Sequence, residues 1–440
     1  MRVRKWLSLA CALCIGLSGT ACSADAGTEE AGLPHVTLRT VTMFGPEDSN
    51  TVVYQQICSE FEAAYDYITI VDESRSSDEQ WKEEVALDFC VGNEPDVLQF
   101  FTDANANQLI EMDKFVSLEE IRSEYPDYAA DTCDWALAQV ANVDGVQRAV
   151  PTVGFWEGVY CNEDLFDACG IPLPADWESL KYAISAFQEN GIIPIACSLN
   201  HVPHYWMEHL LLYSAGEKEY TQTPDGINDK WVKGLELFAE LREMGAFPEN
   251  TDSIDNDYAW RLFSQKKAAM LLEGSWYLPQ VEDQENTVVI PFPGVPDEQV
   301  EEGTIIGGMT TGFYITRRAW EDPGKRDAAV KYVMAHTSKE AVQRYWENGG
   351  GTSVAAVNVE QVESRTPLAE SAVDYLAQAK KRILPTDSRM DPVAYNELIN
   401  GIMNVSHGMS PRSLLARVQE LCNEPLKMQE EENVQSDIDR

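Results

Sequence analysis

The sequence predicts an α/β protein, and three observations carry that class. Between residues 35 and 101, short strand-like runs alternate with longer stretches of helical periodicity. The alternation resumes between residues 159 and 197. Further on, the all-apolar run Ala268–Leu272 has the length and flanks of a strand buried on both faces. A β-α-β-α-β order is the pattern of a parallel sheet covered by helices. At 440 residues the chain is long enough for two or three domains, and 44% hydrophobic residues supply a large core.

His35–Met43 alternates apolar and polar residues and is the opening strand. It ends in the turn Phe44-Gly45-Pro46-Glu47-Asp48-Ser49, which leads into a helix from Thr51 to Tyr65. Val53, Ile57, Phe61 and Ala64 form that helix's apolar stripe. Ile68–Val71 is the second strand, Glu79–Phe89 the second helix and Asp96–Phe101 the third strand, with Thr102 to Asn105 just past its end. Val159–Phe166 opens the next α/β run. Asp176 stands as the N-cap of a helix whose inner face is Trp177, Leu180, Ile184 and Phe187. Gly191 ends it and Ile192–Cys197 is a strand. A loop from Ser198 to Trp206 precedes an apolar helix to Ala215, and Trp231, Leu235, Phe238 and Leu241 mark another. A helix ending near Phe263 leads into the strand Ala268–Leu272, which Glu273-Gly274-Ser275 then breaks, delivering Trp276 at its carboxyl end. Val288–Gly294 reads as a strand and an edge. Asp322-Pro323 starts a helix with Pro at its first position; Lys339–Trp346 is a further helix, and helices continue to Leu421.

In open α/β sheets ligands sit outside the carboxyl ends of strands. Trp276 there offers a broad apolar face and one N–H donor, which suits a pyranose ring; packing against the next helix suits it equally.

Several segments, in order, resemble the carbohydrate-binding extracellular solute-binding proteins of bacterial ABC importers, family 1, the maltose-binding-protein-like family. They are the opening strand with the Phe61-Glu62 helix end, Gly92-Asn93-Glu94-Pro95-Asp96-Val97, Gly158–Phe166 followed by Cys169–Leu180, and Gly274-Ser275-Trp276. Gly307–Ile315 and Thr352–Ala356 complete the set. The resemblance implies a two-lobe periplasmic-binding-protein-like fold (type II) with three interlobe crossovers, near 151–156, 306–312 and 352–356, and a ligand cleft between the lobes. It assigns 35–150 and 313–352 to an N-terminal lobe and 151–312 and 353–425 to a C-terminal lobe. It also implies a sugar or oligosaccharide ligand, no cofactor, no catalysis, and delivery to the transmembrane subunits of an ABC permease by a monomer. Residue by residue, it places Trp276 on the stacking Trp, Asp103 on a polar ligand-contacting position and Phe101 near its aromatic partner. Tyr395 falls near a late-helix stacking aromatic. Trp156 and Glu157 sit in the first crossover, Glu47 and Asp48 in the first loop, and Tyr205 and Trp206 near further aromatic contacts.

The amino terminus reads as a signal peptide, residues 1–21: Arg2, Arg4 and Lys5 precede an uncharged, mostly apolar stretch too short to span a bilayer. Gly19-Thr20-Ala21-Cys22 resembles a lipobox with Cys22 as the lipid anchor, which would place the protein on the outer face of the cytoplasmic membrane. Gly19 stands where Leu is usual, and plain secretion is the alternative. Residues 22–34 are a flexible tether and 426–440 an acidic mobile tail. Losing residues 1–21 removes three positive charges from a net −40, leaving about −43. Such a chain does not suit nucleic acid, whose phosphates need Lys and Arg. Seven further Cys without C-x-x-C spacing make neither a disulfide framework nor a zinc site, and several of them, set in apolar patterns, read as buried free thiols.

A sugar cleft needs aromatic platforms plus polar groups that satisfy hydroxyls, which both donate and accept. Arg389 can donate twice to hydroxyls, although a surface ion pair is its commoner use. Asp48 also suits a cap on the helix at Thr51, and Glu47 and Glu157 suit caps or solvated positions. His201, His204 and His209 cluster, but their spacing does not match a His-Glu-x-x-His zinc site, and no metal is expected. Neither a Gly-x-Ser-x-Gly elbow nor a P-loop occurs. A secreted carbohydrate-active hydrolase and a binding receptor feeding a sensor are the alternative functions.

Overall fold

The computed structural model describes residues 34–46, 48–200, 204–221, 228–362 and 365–422. The expected signal segment, Cys22, Glu47, His201 and the acidic tail lie outside the described residues. Ten strands run through the described chain: β1 (Val36–Val41), β2 (Ile68–Asp72), β3 (Val97–Phe101), β4 (Phe155–Asn162) and β5 (Ile193–Ala196). They continue with β6 (Ala268–Gly274), β7 (Thr287–Ile290), β8 (Thr304–Gly308), β9 (Thr311–Ile315) and β10 (Lys381–Ile383). Two sheets result. The first has the order β2-β1-β3-β9, parallel except for β9, which runs antiparallel to β3. The second has the order β10-β8-β4-β6-β5, with β7 also paired to β4.

Each sheet carries its own core. In the first lobe Leu38 of β1 points inward while Thr37 is exposed, as alternation requires. The helix Thr51–Ala64 lays Val53, Tyr54, Ile57 and Phe61 on that core, where they join Phe313, Trp320 and Tyr332. In the second lobe the helix Trp177–Glu189 buries Trp177, Leu180, Ile184 and Phe187. Its N-cap Asp176 and Ser179 form a reciprocal capping box, an arrangement whose loss costs about 1 kcal/mol. The seven cysteines among the described residues are free thiols, two of them buried. None of the described helices is long and apolar enough to cross a membrane.

The chain passes between the lobes on a narrow ribbon. β8 ends at Gly308 and β9 begins at Thr311, so two residues carry the chain from the second sheet to the first. Beside them, Val150 bridges Phe313 in the first lobe, while Phe155 pairs with Gly308 in the second. The segment after the helix Lys339–Asn348 completes the ribbon: Gly154 N–H donates to the Val354 carbonyl and Ala356 N–H to the Thr152 carbonyl, both at 2.8 Å. Gly154 is required by this crowding, since a Cβ there would overlap the Gly308 carbonyl oxygen.

Three local expectations change. Phe155–Gly158 already belong to β4 instead of the connection between lobes. The loop expected to Trp206 gives way to a helix at His204. The strand expected to break at Glu273 continues through Gly274, because β4 pairs with it up to the Glu157–Gly274 register and covers the acidic residue.

Candidate functional site

The carboxyl end of β6 is organised by Glu273. Every residue of β6 is buried, and Glu273 is the charged exception in an apolar strand. Its carboxylate accepts from Trp260 Nε1 at 2.7 Å, Trp276 Nε1 at 3.0 Å, Gly274 N at 3.0 Å and Asn256 Nδ2 at 3.3 Å. Tyr205 bonds to it as well. Burial raises the Glu273 pKa, and these donors oppose the shift. The effect on geometry is plain: one carboxylate fixes two indole rings and a phenol. Trp276 folds back over Gly274, where a Cβ would overlap the indole ring. Phe155 and Tyr205 flank Trp276 at centroid distances of 5.8 and 6.0 Å, and all three rings are partly exposed.

Across from Trp260 the first lobe supplies the turn after β1. Pro46, Asp48 and Ser49 face Trp260, Arg261 and Tyr277 across a cleft of about 470 Å³. Asp48 accepts from Asn50 N at 2.7 Å, and burial, opposed by that bond, pushes its pKa up to about 6. Its side chain closes a turn before the helix, while Asn50 takes the N-cap position itself.

At the other end the lobes touch. Lys82 of the first lobe pairs with Glu79 at 2.7 Å and, across the cleft, with Asp387 at 3.2 Å. Its ammonium also sits 4.6 Å from the centre of the Phe101 ring. Asp103 caps the turn Ala104–Ala106 through Oδ1 and is also hydrogen-bonded to Ser388 of the second lobe. Burial first, then Asp387, push the Asp103 pKa up to about 6. Asn396 of the second lobe donates to Glu83 of the first at 2.9 Å.

The remaining candidates lie deeper. Glu157, 1% exposed, has Oε2 3.6 Å from His209 Nδ1, beyond hydrogen-bond reach. Burial, then Glu208 and Glu273, raise its pKa well above the usual carboxylate range. Glu208 is fully buried; its Oε1 accepts from Thr386 N and Tyr395 OH, both at 3.2 Å. Burial and Asp387 raise it likewise. Tyr395 is therefore a core residue reaching Glu208, and not a ring presented to the cleft. Trp156 and Trp206 are also buried: Trp156 donates to Thr352 Oγ1 at 3.3 Å, and Trp206 packs on Phe292. Arg389 makes no surface ion pair among the described residues; it donates to the Leu384 and Tyr220 carbonyls and lies over the Tyr220 ring. His209 is buried and pushed down to about 4, so it is neutral. Among the described residues no three His, Cys, Asp or Glu side chains come together to hold a metal.

Of the residues expected from the sequence, Asp48 lines the cleft beside Trp260, Phe101 and Asp103 lie by Lys82, and Trp276 and Tyr205 are gathered by Glu273; Glu273, Trp260, Lys82, Glu208 and Asp387 are not among those expected. Glu273 carried a usable signal, an acidic residue at the end of a run otherwise apolar.

Comparison with known proteins agrees with this architecture. A chitin oligosaccharide binding protein superposes with a TM-score of 0.79 at 20% identity, covering 89% of this chain and 98% of that one. The maltose/maltodextrin-binding domain of Bdellovibrio bacteriovorus, bound to maltotriose, superposes at 0.72 with 16% identity, covering 89% and 100%. A multiple sugar-binding protein of Streptococcus mutans is 22% identical over 246 residues; the match spans 51% of this chain and 55% of that protein. Residues 56–368 match the sequence profile of the bacterial extracellular solute-binding proteins. With two α/β lobes, three crossovers and a cleft between them, the chain belongs to that family.

Proposed function

We propose that the protein captures a sugar or oligosaccharide between its lobes and delivers it to the membrane subunits of an ABC permease. The observation that carries the ligand class is the Glu273 arrangement, which holds Trp276, Trp260 and Tyr205 at a strand's carboxyl end, with Trp260 lining the cleft opposite the first lobe's turn. Fixed aromatic faces suit the apolar face of a pyranose, and the carboxylates around them suit its hydroxyls. The similar structures include proteins bound to maltotriose and to raffinose, which supports the same class here. Membership of the family supports delivery to a permease. The resemblance of Gly19-Thr20-Ala21-Cys22 to a lipobox supports, for the same reading, anchoring at the outer face of the cytoplasmic membrane.

Capture works by differential contact. A ligand touching both lobes stabilises the closed arrangement by the interactions it makes only there. A thermal-shift panel of mono- and oligosaccharides tests the reading, because ligand at 100 times its Kd adds about 2.7 kcal/mol of stability. Trp276→Ala is expected to fold and to lose at least tenfold in affinity, the loss of one stacking face. Binding that survives this change unaltered moves the site elsewhere, and turnover of the sugar makes the protein a hydrolase.

A further inference from the structure

A second cavity, of about 520 Å³, opens where the crossover ribbon meets both lobes. It shares no lining residue with the cleft at Asp48 and Trp260. Gly308 and Val354 of the ribbon line it, Trp135 borders it from the first lobe, and Lys380, Arg382 and Leu384 border it from the second. Cavities of about 300–1,000 Å³ are of the size that takes a small molecule. Gly308 keeps the space low-walled: a Cβ there would overlap the Leu384 side chain.

The charge of this cavity runs against that of the molecule. Lys380-Lys381-Arg382 is the only run of three consecutive basic residues in a chain of net charge −40. The run enters β10, where Ile383 turns into the core and the alternation sends Arg382 and Lys380 the other way. Lys380 pairs with Glu302 at 3.1 Å and Lys381 pairs with Glu217. Arg382 makes no ion pair or side-chain hydrogen bond among the described residues and is exposed. Charge on an edge strand discourages pairing with another chain, and that alone would account for a basic β10. It does not account for what shares the cavity. Trp135 is 44% exposed on the short helix Asp134–Gln139, and its large apolar ring lines the same space as the unpaired guanidinium. A planar guanidinium matches a carboxylate or phosphate with two parallel hydrogen bonds, and an indole face takes a flat ring. Charges further away on the acidic surface are screened beyond about 8 Å at physiological salt, so the local cations decide which ligand sign is favoured.

We propose that this cavity beside the ribbon is a second ligand site, separate from the sugar cleft, for an aromatic ring bearing a carboxylate or phosphate. The oxyanion lies on Arg382 and the ring against Trp135 and Leu384. The site stands independently of the carbohydrate reading.

The test titrates the full chain calorimetrically with benzoate, phenyl phosphate, benzyl alcohol and inorganic phosphate. At least one of the two aromatic anions is expected to bind, at least tenfold tighter than benzyl alcohol and inorganic phosphate; the tighter of the two identifies the oxyanion. Arg382→Ala and Trp135→Ala, both at exposed positions and checked by melting curves, are each expected to lose at least tenfold in that affinity. Trp276→Ala is expected to leave it unchanged. Benzyl alcohol binding as tightly as the aromatic anions overturns the anion site, and inorganic phosphate doing so overturns the part given to the ring. Affinity that survives Arg382→Ala but falls in Trp276→Ala places the anions in the sugar cleft and overturns the proposal. Absence of binding by both aromatic anions overturns it as well, and leaves the sugar reading standing.

Discussion

Glu273 is a fully buried carboxylate with five donors aimed at it, from Gly274, Trp276, Trp260, Asn256 and Tyr205. Its task is orientation, because an indole held by its N–H cannot rotate away from the cleft. In Glu273→Gln one acceptor becomes an NH₂ facing another donor, at a cost of about 1–3 kcal/mol for the bond it forfeits. The expected result is a lower melting temperature, red-shifted tryptophan emission and at least tenfold weaker sugar binding; unchanged affinity would show that the rings are held by packing alone. Gly274→Ala is expected to push the Trp276 ring aside and weaken binding similarly, read by the same titration. Asp103 gives a pH signature. Its folded pKa, about 6, lies above the usual 3.8, so the folded state holds the proton longer. Its contribution to stability is complete below about pH 3.8 and is lost as pH rises through 6. Asp103→Asn should therefore raise the melting temperature relative to the parent more at pH 7.5 than at pH 5.

At the scale of elements, the helices and most strands were legible because their signals are local. The stripe on Thr51–Ala64 and the Asp176 cap are set by spacing and by a single side chain. The end of β6 was not legible. Glu273-Gly274 reads as a break, and only the pairing of Gly274 with Glu157 on β4 extends the strand through it. The crossover ribbon is an element of the same kind, since its three segments come from distant parts of the chain and meet at Gly154 and Gly308. Gly154→Ala is expected to force these segments apart, lowering the melting temperature and changing sugar affinity without touching the cleft. A variant with wild-type affinity and stability would show that the ribbon yields freely.

At the scale of the whole molecule, the lobes are tied at one end of the cleft and separated at the other. Lys82–Asp387 and Glu83–Asn396 form the tie, while the Asp48–Trp260 side stays open. Lys82 is barely exposed, so its pairing is less screened than a surface ion pair. Lys82→Met is expected to loosen the ligand-free protein, seen in small-angle scattering as a larger radius of gyration that contracts on adding ligand. An unchanged radius would mean that the ribbon alone sets the spacing. The tie was invisible in the sequence because Lys82 and Asp387 lie 305 residues apart.

By itself the sequence determined the α/β class, the order of elements, and the motifs that carry the two-lobe family resemblance. Periodicity and caps are properties of neighbouring residues. It also placed Trp276 at a strand end. Tertiary structure decided how that Trp is held: which carboxylate grips its N–H and which rings flank it. It also moved Tyr395, Trp156 and Trp206 from the list of platforms into the core. Aromatic side chains of one type serve as core or as surface, and the choice depends on what packs over them. A buried carboxylate likewise acquires its role from donors far away in the chain, and no local pattern reports those.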